Sequence, residues 1–379
     1  MLENKKIAIV YDWIDKWGGV ERVLLTLGEM FPKATFYTSY FDKNKAFWAK
    51  NLKINTSFIQ NLPKFIKGSR VISLPLYPIA FESFNFNQYD VVISVTSSFA
   101  KAVITKPNTR HICYLLTPTR YIWLYSEQYM ITPINRFIGV PYIKYLKKWD
   151  LVASQRPDKI ISISKTVKVR CQKYYKRDSE VIYPPFDTEY WNEIKLRISN
   201  DKLPINFIPI KSGSNFKFFL VVSRLEPYKK IDLIVQSFNQ LGMDLVIVGE
   251  GSLKYKLKTM ASKNISFLSG LSDEELGFLY SKAEALIMPQ EEDFGYVSLE
   301  AQFFGCPVIA YKKGGATETV IEGKTGIFFN KQNKESLLQA LERYRVISYN
   351  LRTSMGKFAI KNIERFDKVR FIKQFKTSL

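Results

Sequence analysis

The sequence predicts an α/β protein of two domains, each an open parallel sheet covered by helices. Three observations carry that expectation. Apolar runs of four or five residues recur, such as 7–11 and 245–248, and continuous runs of this length suit strands buried on both faces. Helix-length segments separate them, and alternating strand and helix builds a parallel sheet. The pattern occurs twice, and 379 residues suit about two domains.

In the first half, residues 7–11, 91–95, 112–115 and 159–163 read as strands. A loop with Gly18 and Gly19 leads from the first of these into an amphipathic stretch, 20–30. In the second half, 218–222, 245–248, 265–268, 285–288 and 307–310 read as strands. Helices are expected at 231–241, 252–261 and 273–283, the last with an acidic first turn that suits the helix dipole. Pro184, Pro185, Pro204, Pro209 and Gly213 mark a junction region. An amphipathic helix is expected at 361–375. The expected domains are 1–190 and 191–360, with 361–379 returning toward the first.

Composition narrows the class. Hydrophobic residues are 46% of the chain, enough for large cores, and charged residues are 24%, so the chain is not of the disordered type. Cys113, Cys171 and Cys306 are far apart and lack CxxC spacing, which argues against zinc or a disulfide framework and for a reducing cytosol. The first residues lack a signal-peptide h-region. The longest apolar runs, such as 71–81, are about half the length that spans a bilayer. A cytoplasmic protein, soluble or peripheral, is expected.

Net charge is +21, and residues 41–180 alone hold 23 Lys and Arg against 8 Asp and Glu. Such a field attracts nucleic acid, an anionic membrane or a phosphorylated substrate. Solvated surface charge is the plain alternative.

Several groups carry chemistry. Arg224 and Lys229 follow a strand, where Arg forks onto phosphate oxygens and Lys adds a point charge. Gly18 and Gly19 do not form GxGxxG, which disfavours a dinucleotide, yet they let backbone amides approach a phosphate at a helix start. A plain turn is the alternative. Gly314 and Gly315 precede a helix start in the same manner and read as structural. Glu292 and Glu300 flank Phe294 and Gly295. A carboxylate suits the vicinal hydroxyls of a ribose or hexose, and paired carboxylates also admit a glycosidase. The nearby basic pair points to a phosphate-bearing leaving group instead. His111 is the single histidine and reads as packed. No compact carboxylate cluster suggests a metal, so metal independence is expected.

These pieces resemble glycosyltransferase family 4, the retaining GT-B enzymes. The resemblance rests on Ser-Arg-Leu-x-Pro-x-Lys at 223–229, Val-Gly-x-Gly at 248–251, Glu-x7-Glu at 292–300, Pro307 to Ala310, and Gly314-Gly315. In the first half, Gly18-Gly19-x-Glu21-Arg22, Ser97 to Ala100, His111 to Tyr114, Thr117 to Tyr121 with Trp123, and Tyr183 to Thr188 resemble the bacterial mannosyltransferase branch of polysaccharide and lipopolysaccharide assembly. The resemblance implies two Rossmann-like domains facing a deep cleft, with a final helix crossing back. It implies that Arg224 and Lys229 hold the donor diphosphate, Glu300 the ribose, and Glu292 the transferred sugar. Gly249 matches the family's second-half glycine motif, and Phe294 and Gly295 the loop that meets sugar and phosphate. Gly19, beside Gly18, matches a phosphate contact. One position departs: Leu116 stands where the branch carries His before Thr-Pro-x-Arg-Tyr.

The implied reaction is metal-independent, retaining transfer of a hexose from a nucleotide-diphosphate sugar, with no further cofactor. GDP-mannose is the donor favoured by the branch; UDP- and dTDP-sugars are the alternatives. The implied partners are a glycan or lipid-linked acceptor and an anionic membrane at the inner face of the cell membrane, not nucleic acid. A weakly active partner subunit and a nucleotide-sugar epimerase are the rival readings.

Overall fold

The computed structural model describes residues 5–124, 133–200, 218–347 and 349–379. The expected junction residues Pro204, Pro209 and Gly213 lie outside the described residues. The chain divides into two units, one of Met1–Pro185 with Phe371–Leu379 and one of Phe186–Arg370.

The first unit holds β1 (Ile7–Tyr11), β2 (Thr35–Thr38), β3 (Ile54–Thr56), β4 (Val91–Thr96), β5 (Arg110–Leu115), β6 (Lys159–Ser162) and β7 (Glu180–Val181). They form one sheet in the order β3-β2-β1-β4-β5-β6-β7, parallel throughout. The second unit holds β8 (Phe219–Val222), β9 (Leu245–Val248), β10 (Ile265–Leu268), β11 (Ala285–Met288), β12 (Val308–Tyr311) and β13 (Gly326–Phe329). Their order is β10-β9-β8-β11-β12-β13, again parallel. Both sheets are Rossmann-like. Each is built outward in one direction from its first strand and then in the other, so β1 beside β4 and β8 beside β11 are switch points. Ligands of open α/β sheets bind outside the carboxyl ends of strands at such points.

The strand runs are apolar because both faces are covered. In the second unit Phe219, Val221, Ala285 and Ile287 enter one core, and Phe218, Leu220, Leu286 and Met288 enter the other. This is the period-2 alternation of a pleated strand. β2, β3 and β7 escape a search for continuous apolar runs. β2 reads Thr-Phe-Tyr-Thr, β3 is three residues long and incompletely buried, and β7 has two residues. β13 starts with glycine, a weak strand former.

The C-terminal segment differs from the single helix expected at 361–375. A helix Tyr349–Asn362 ends in a 3-10 turn, Ile363–Phe366, and a second helix spans Lys368–Ser378. Asp367 makes the break. Its carboxylate accepts from Val369 N at 2.8 Å and from the Thr188 hydroxyl, and Phe186 N donates to Phe366 O at 2.8 Å. These bonds tie residues 186–188 to the second unit, so the units part at Pro185/Phe186 and Arg370/Phe371 rather than at 190/191 and 360/361. Within the first unit, Phe371 and Phe375 set their rings edge-on to Tyr114, and the Ser378 hydroxyl donates to Glu180 at 2.9 Å. Among the described residues no helix is long and apolar enough to cross a membrane.

Candidate functional site

In the second unit, the loops after β8 and β11 leave neighbouring strands at the switch point. The β8 loop carries Arg224 and ends in a 3-10 turn, Pro227–Lys229. The β11 loop carries Glu292, Phe294 and Gly295, then opens the helix Tyr296–Phe303. The structure joins two of the expected residues directly: the Lys229 ammonium pairs with Glu292 Oε1. Gln290 Nε2 donates to the same oxygen at 2.9 Å. Lys229 is buried, so the pair is shielded from solvent and strengthened by the lower local dielectric. Arg224 is exposed, with its guanidinium 5.9 Å from the Tyr228 ring centroid.

Two glycines explain how the loops come this close. Gly249 has φ of 154°, and a Cβ there would lie 1.9 Å from Ser223 O. Its role in the structure is to let the β9 loop lie against the β8 loop, where Ser223 N donates to Val248 O at 3.0 Å and Leu225 N to Glu250 O at 2.8 Å. Gly295 has φ of 94°, a left-handed turn that starts the following helix. The β12 loop closes the other side: Gly315 N donates to Glu292 O at 2.7 Å. Gly314 and Gly315 are thus structural supports of the Glu292 backbone.

Glu300 lies one helical turn beyond Gly295. It is only 4% exposed, and Tyr280 OH donates to its Oε2 at 3.0 Å. Phe294 is buried against Tyr296 and Phe366. Its ring is a packing anchor, which leaves the backbone as the part able to meet a ligand. Gln290 is a residue the sequence reading missed. The available signal was a polar side chain directly after an apolar strand and Pro289. Its Oε1 has no partner among the described residues.

The first unit has a parallel construction. Gly18 precedes the helix Gly19–Met30 in the loop after β1. Asp12, at the end of β1, is fully buried. It accepts from Thr96 Oγ1 at 2.9 Å and from the backbone N–H of Ser97, Phe99 and Ala100 at 2.8 Å each. Burial pushes its carboxyl up, against the pull of those donors. Asp12 therefore clamps the β4 loop onto the end of β1, and sequence reasoning passed over it because a single Asp after a strand has no distinctive spacing. Leu116, at the end of β5, donates its N–H to Thr96 O at 2.8 Å. His111 cannot stand in for an imidazole there. It is fully buried within β5, bonded at 2.9 Å to Ser94 Oγ, and burial pushes it down to about 3.

Glu21 sits in the first turn of the Gly19–Met30 helix, 2% exposed. Its Oε2 has no partner among the described residues. Burial pushes the carboxyl up to about 7. A raised acid binds its proton more tightly when folded, so its contribution is full below about 4.5 and is lost as pH rises to about 7. Glu21→Gln is expected to remove that decline, stabilising the protein by about 2–3 kcal/mol at pH 7.5 and little at pH 4.5. Urea unfolding at both pH values checks it; equal differences at both would sink the assignment.

Residues 205–362 match the family model of glycosyl transferases group 1. The chain is 27% identical over 233 residues to an uncharacterized glycosyltransferase of Methanocaldococcus jannaschii, covering 59% of this chain and 57% of that one. It is 30% identical over 194 residues to the alpha-1,3/1,6-mannosyltransferase ALG2 of Dictyostelium discoideum, covering 43% and 46%. The matches thus span about half the length of these relatives. Among solved structures, HepE of Anabaena in complex with UDP has a TM-score of 0.69 at 17% identity, covering 98% of this chain and 99% of that one. The fold is shared with that structure.

Proposed function

We propose that this chain, which carries a glycosyl transferases group 1 domain over residues 205–362, moves a hexose from a nucleotide-diphosphate sugar to a glycan or lipid-linked acceptor. The observation that carries the reading is the grouping of Arg224, Lys229 and Glu292 on the two loops that leave the switch-point strands β8 and β11. Departure of a nucleoside diphosphate builds negative charge on phosphate oxygens. Arg224 forks onto that charge, and the Lys229 ammonium turns to it from Glu292, which is then released toward the sugar hydroxyls. Glu300 serves the ribose. Two side-chain cations at this point meet the electrostatic demand without a metal. Retention follows from front-face attack, with the leaving phosphate accepting the acceptor's proton. In the first unit, Gly18 and Gly19 begin a helix whose N-terminal amides suit a phosphate.

Mannosyltransferases among the relatives, one of them named as GDP-mannose-dependent, support GDP-mannose as the donor, and a UDP-sugar is the second reading. Membrane association is part of the same proposal and would bring a lipid-linked acceptor to the protein. A thermal-shift panel of GDP-, UDP- and dTDP-sugars tests the donor. The cognate sugar nucleotide at about 100 times its Kd is expected to add about 2.7 kcal/mol by mass action. A flat response to every nucleotide would overturn the donor site.

A further inference from the structure

The stretch of the first unit between β2 and the helix ending at Glu82 has an unusual surface. Residues 43–81 hold six lysines and Arg70 but no Asp or Glu. Lys43, Lys45, Lys50, Lys53 and Lys64 are all exposed. Among them stand large apolar side chains that the fold leaves in solvent: Phe47 is 70% exposed, Phe65 68%, Val71 74%, Ile72 52% and Ile79 58%.

These apolar groups are not loosely packed core. The same stretch already supplies its inward residues, since Ile59, Tyr77, Ala80 and Phe81 are buried with Leu62, Leu74 and Leu76 packed beside them. Its backbone is held firmly. The helix Lys64–Lys67 runs into a second turn in which Gly68 N donates to Lys64 O at 2.9 Å and Ser73 N to Ser69 O at 3.0 Å. The Ser73 hydroxyl donates back to Ile66 O at 2.7 Å. Phe65 and Ile72, the neighbours of that bonded pair, are thereby fixed on one short double turn with Val71. Arg70, beside them, is spent inward: it pairs with Asp15 at 2.6 Å and covers the Trp13 ring at 4.3 Å.

We infer that this surface, with Phe65, Val71 and Ile72 as its apolar wedge and the exposed Lys43, Lys50, Lys53 and Lys64 of the same stretch as its cations, docks on an anionic lipid bilayer. Contiguous exposed apolar side chains mark interaction surfaces. The exposed lysines fit an anionic leaflet, and the nearby carboxylates Asp42 and Asp15 are each paired, with Lys45 at 3.8 Å and with Arg70 at 2.6 Å. Long lysine side chains keep their ammonium groups at headgroup level while the wedge enters the acyl boundary. The inference deepens the membrane part of the proposed function, but it does not depend on the donor or on transfer.

Flotation of the full chain with vesicles tests it, using phosphatidylcholine alone or with roughly one-third phosphatidylglycerol, at low and at physiological salt. The wild type is expected to float with the anionic vesicles and less with the neutral ones. Phe65→Ser/Val71→Ser/Ile72→Ser is expected to lower partition about tenfold, while Lys43→Gln/Lys50→Gln/Lys53→Gln/Lys64→Gln removes the salt-sensitive part. Leu196→Ser, at an exposed apolar position of the second unit, is the control and should bind as the wild type does. Nucleotide thermal shifts should be unchanged in all three variants, which separates failure of docking from failure of the donor site. Wild-type partition by the wedge variant would overturn the inference. So would equal flotation of the wild type with neutral and anionic vesicles, or a dimer that the wedge variant makes monomeric without altered flotation.

Discussion

Replacing Arg224 by alanine is expected to lower kcat for sugar transfer by about 10²–10³, the usual cost of removing one preorganised donor from a site of developing charge. The side chain is exposed and makes its ring contact at 5.9 Å with Tyr228, so its loss leaves the core intact and the melting curve close to wild type. Lys229→Ala is expected to cost at least as much activity, and it also destabilises, because Glu292 then loses the buried cation it pairs with. The contrast between the two variants separates phosphate binding from structural support. Steady-state kinetics with the donor found by thermal shift provides the measurement. Unchanged kcat/KM in Arg224→Ala would remove this residue from the mechanism.

Lys101→Ala is expected to destabilise the protein by about 3–5 kcal/mol, the cost of leaving a buried charge without its partner. The Lys101 ammonium lies 2.5 Å from Asp150 Oδ1, with the two side chains 1% and 0% exposed. Asp150 also accepts from Thr119 Oγ1 at 3.1 Å and from Trp123 Nε1 at 2.7 Å, and Lys101 donates to Ser98 O. The pair therefore binds together the loops that follow β4 and β5. A loss on this scale is a large share of the roughly 5–15 kcal/mol by which domains are stable. Lys101→Met/Asp150→Leu is expected to recover most of it, because replacing both partners leaves no orphan charge. Urea unfolding decides the matter; a Lys101→Ala variant within about 1 kcal/mol of wild type would show that the buried pair is not a structural anchor.

Much of the fold was legible because its signals are local. β1, β8 and β11 are continuous apolar runs, and a run buried on both faces needs no partner to be recognised. β2 and β3 were not legible, since two threonines and an incompletely buried three-residue strand resemble loop until a neighbouring strand satisfies their backbone. The end of the chain was misread as one helix because the stop at Asp367 depends on Thr188, far away in sequence. In the site, Arg224, Lys229, Glu292 and Glu300 were visible as residue types at spacings. Asp12, Lys101 and Asp150 were not, because a lone Asp or Lys carries no sign of being buried.

By itself, the sequence determined that there are two α/β units, and that the basic and acidic residues proposed for phosphate and sugar follow their strands. Apolar runs and the loops after them are properties of short segments. Only the tertiary structure decided which of those loops meet. β8 and β11 become neighbours although β9 and β10 lie between them in the chain, and this brings Lys229 to Glu292 across 63 residues. β1 and β4 become neighbours in the same way, which brings Asp12 to the Thr96–Ala100 loop. Strand order depends on how the helices cover each face, and no short segment carries that information.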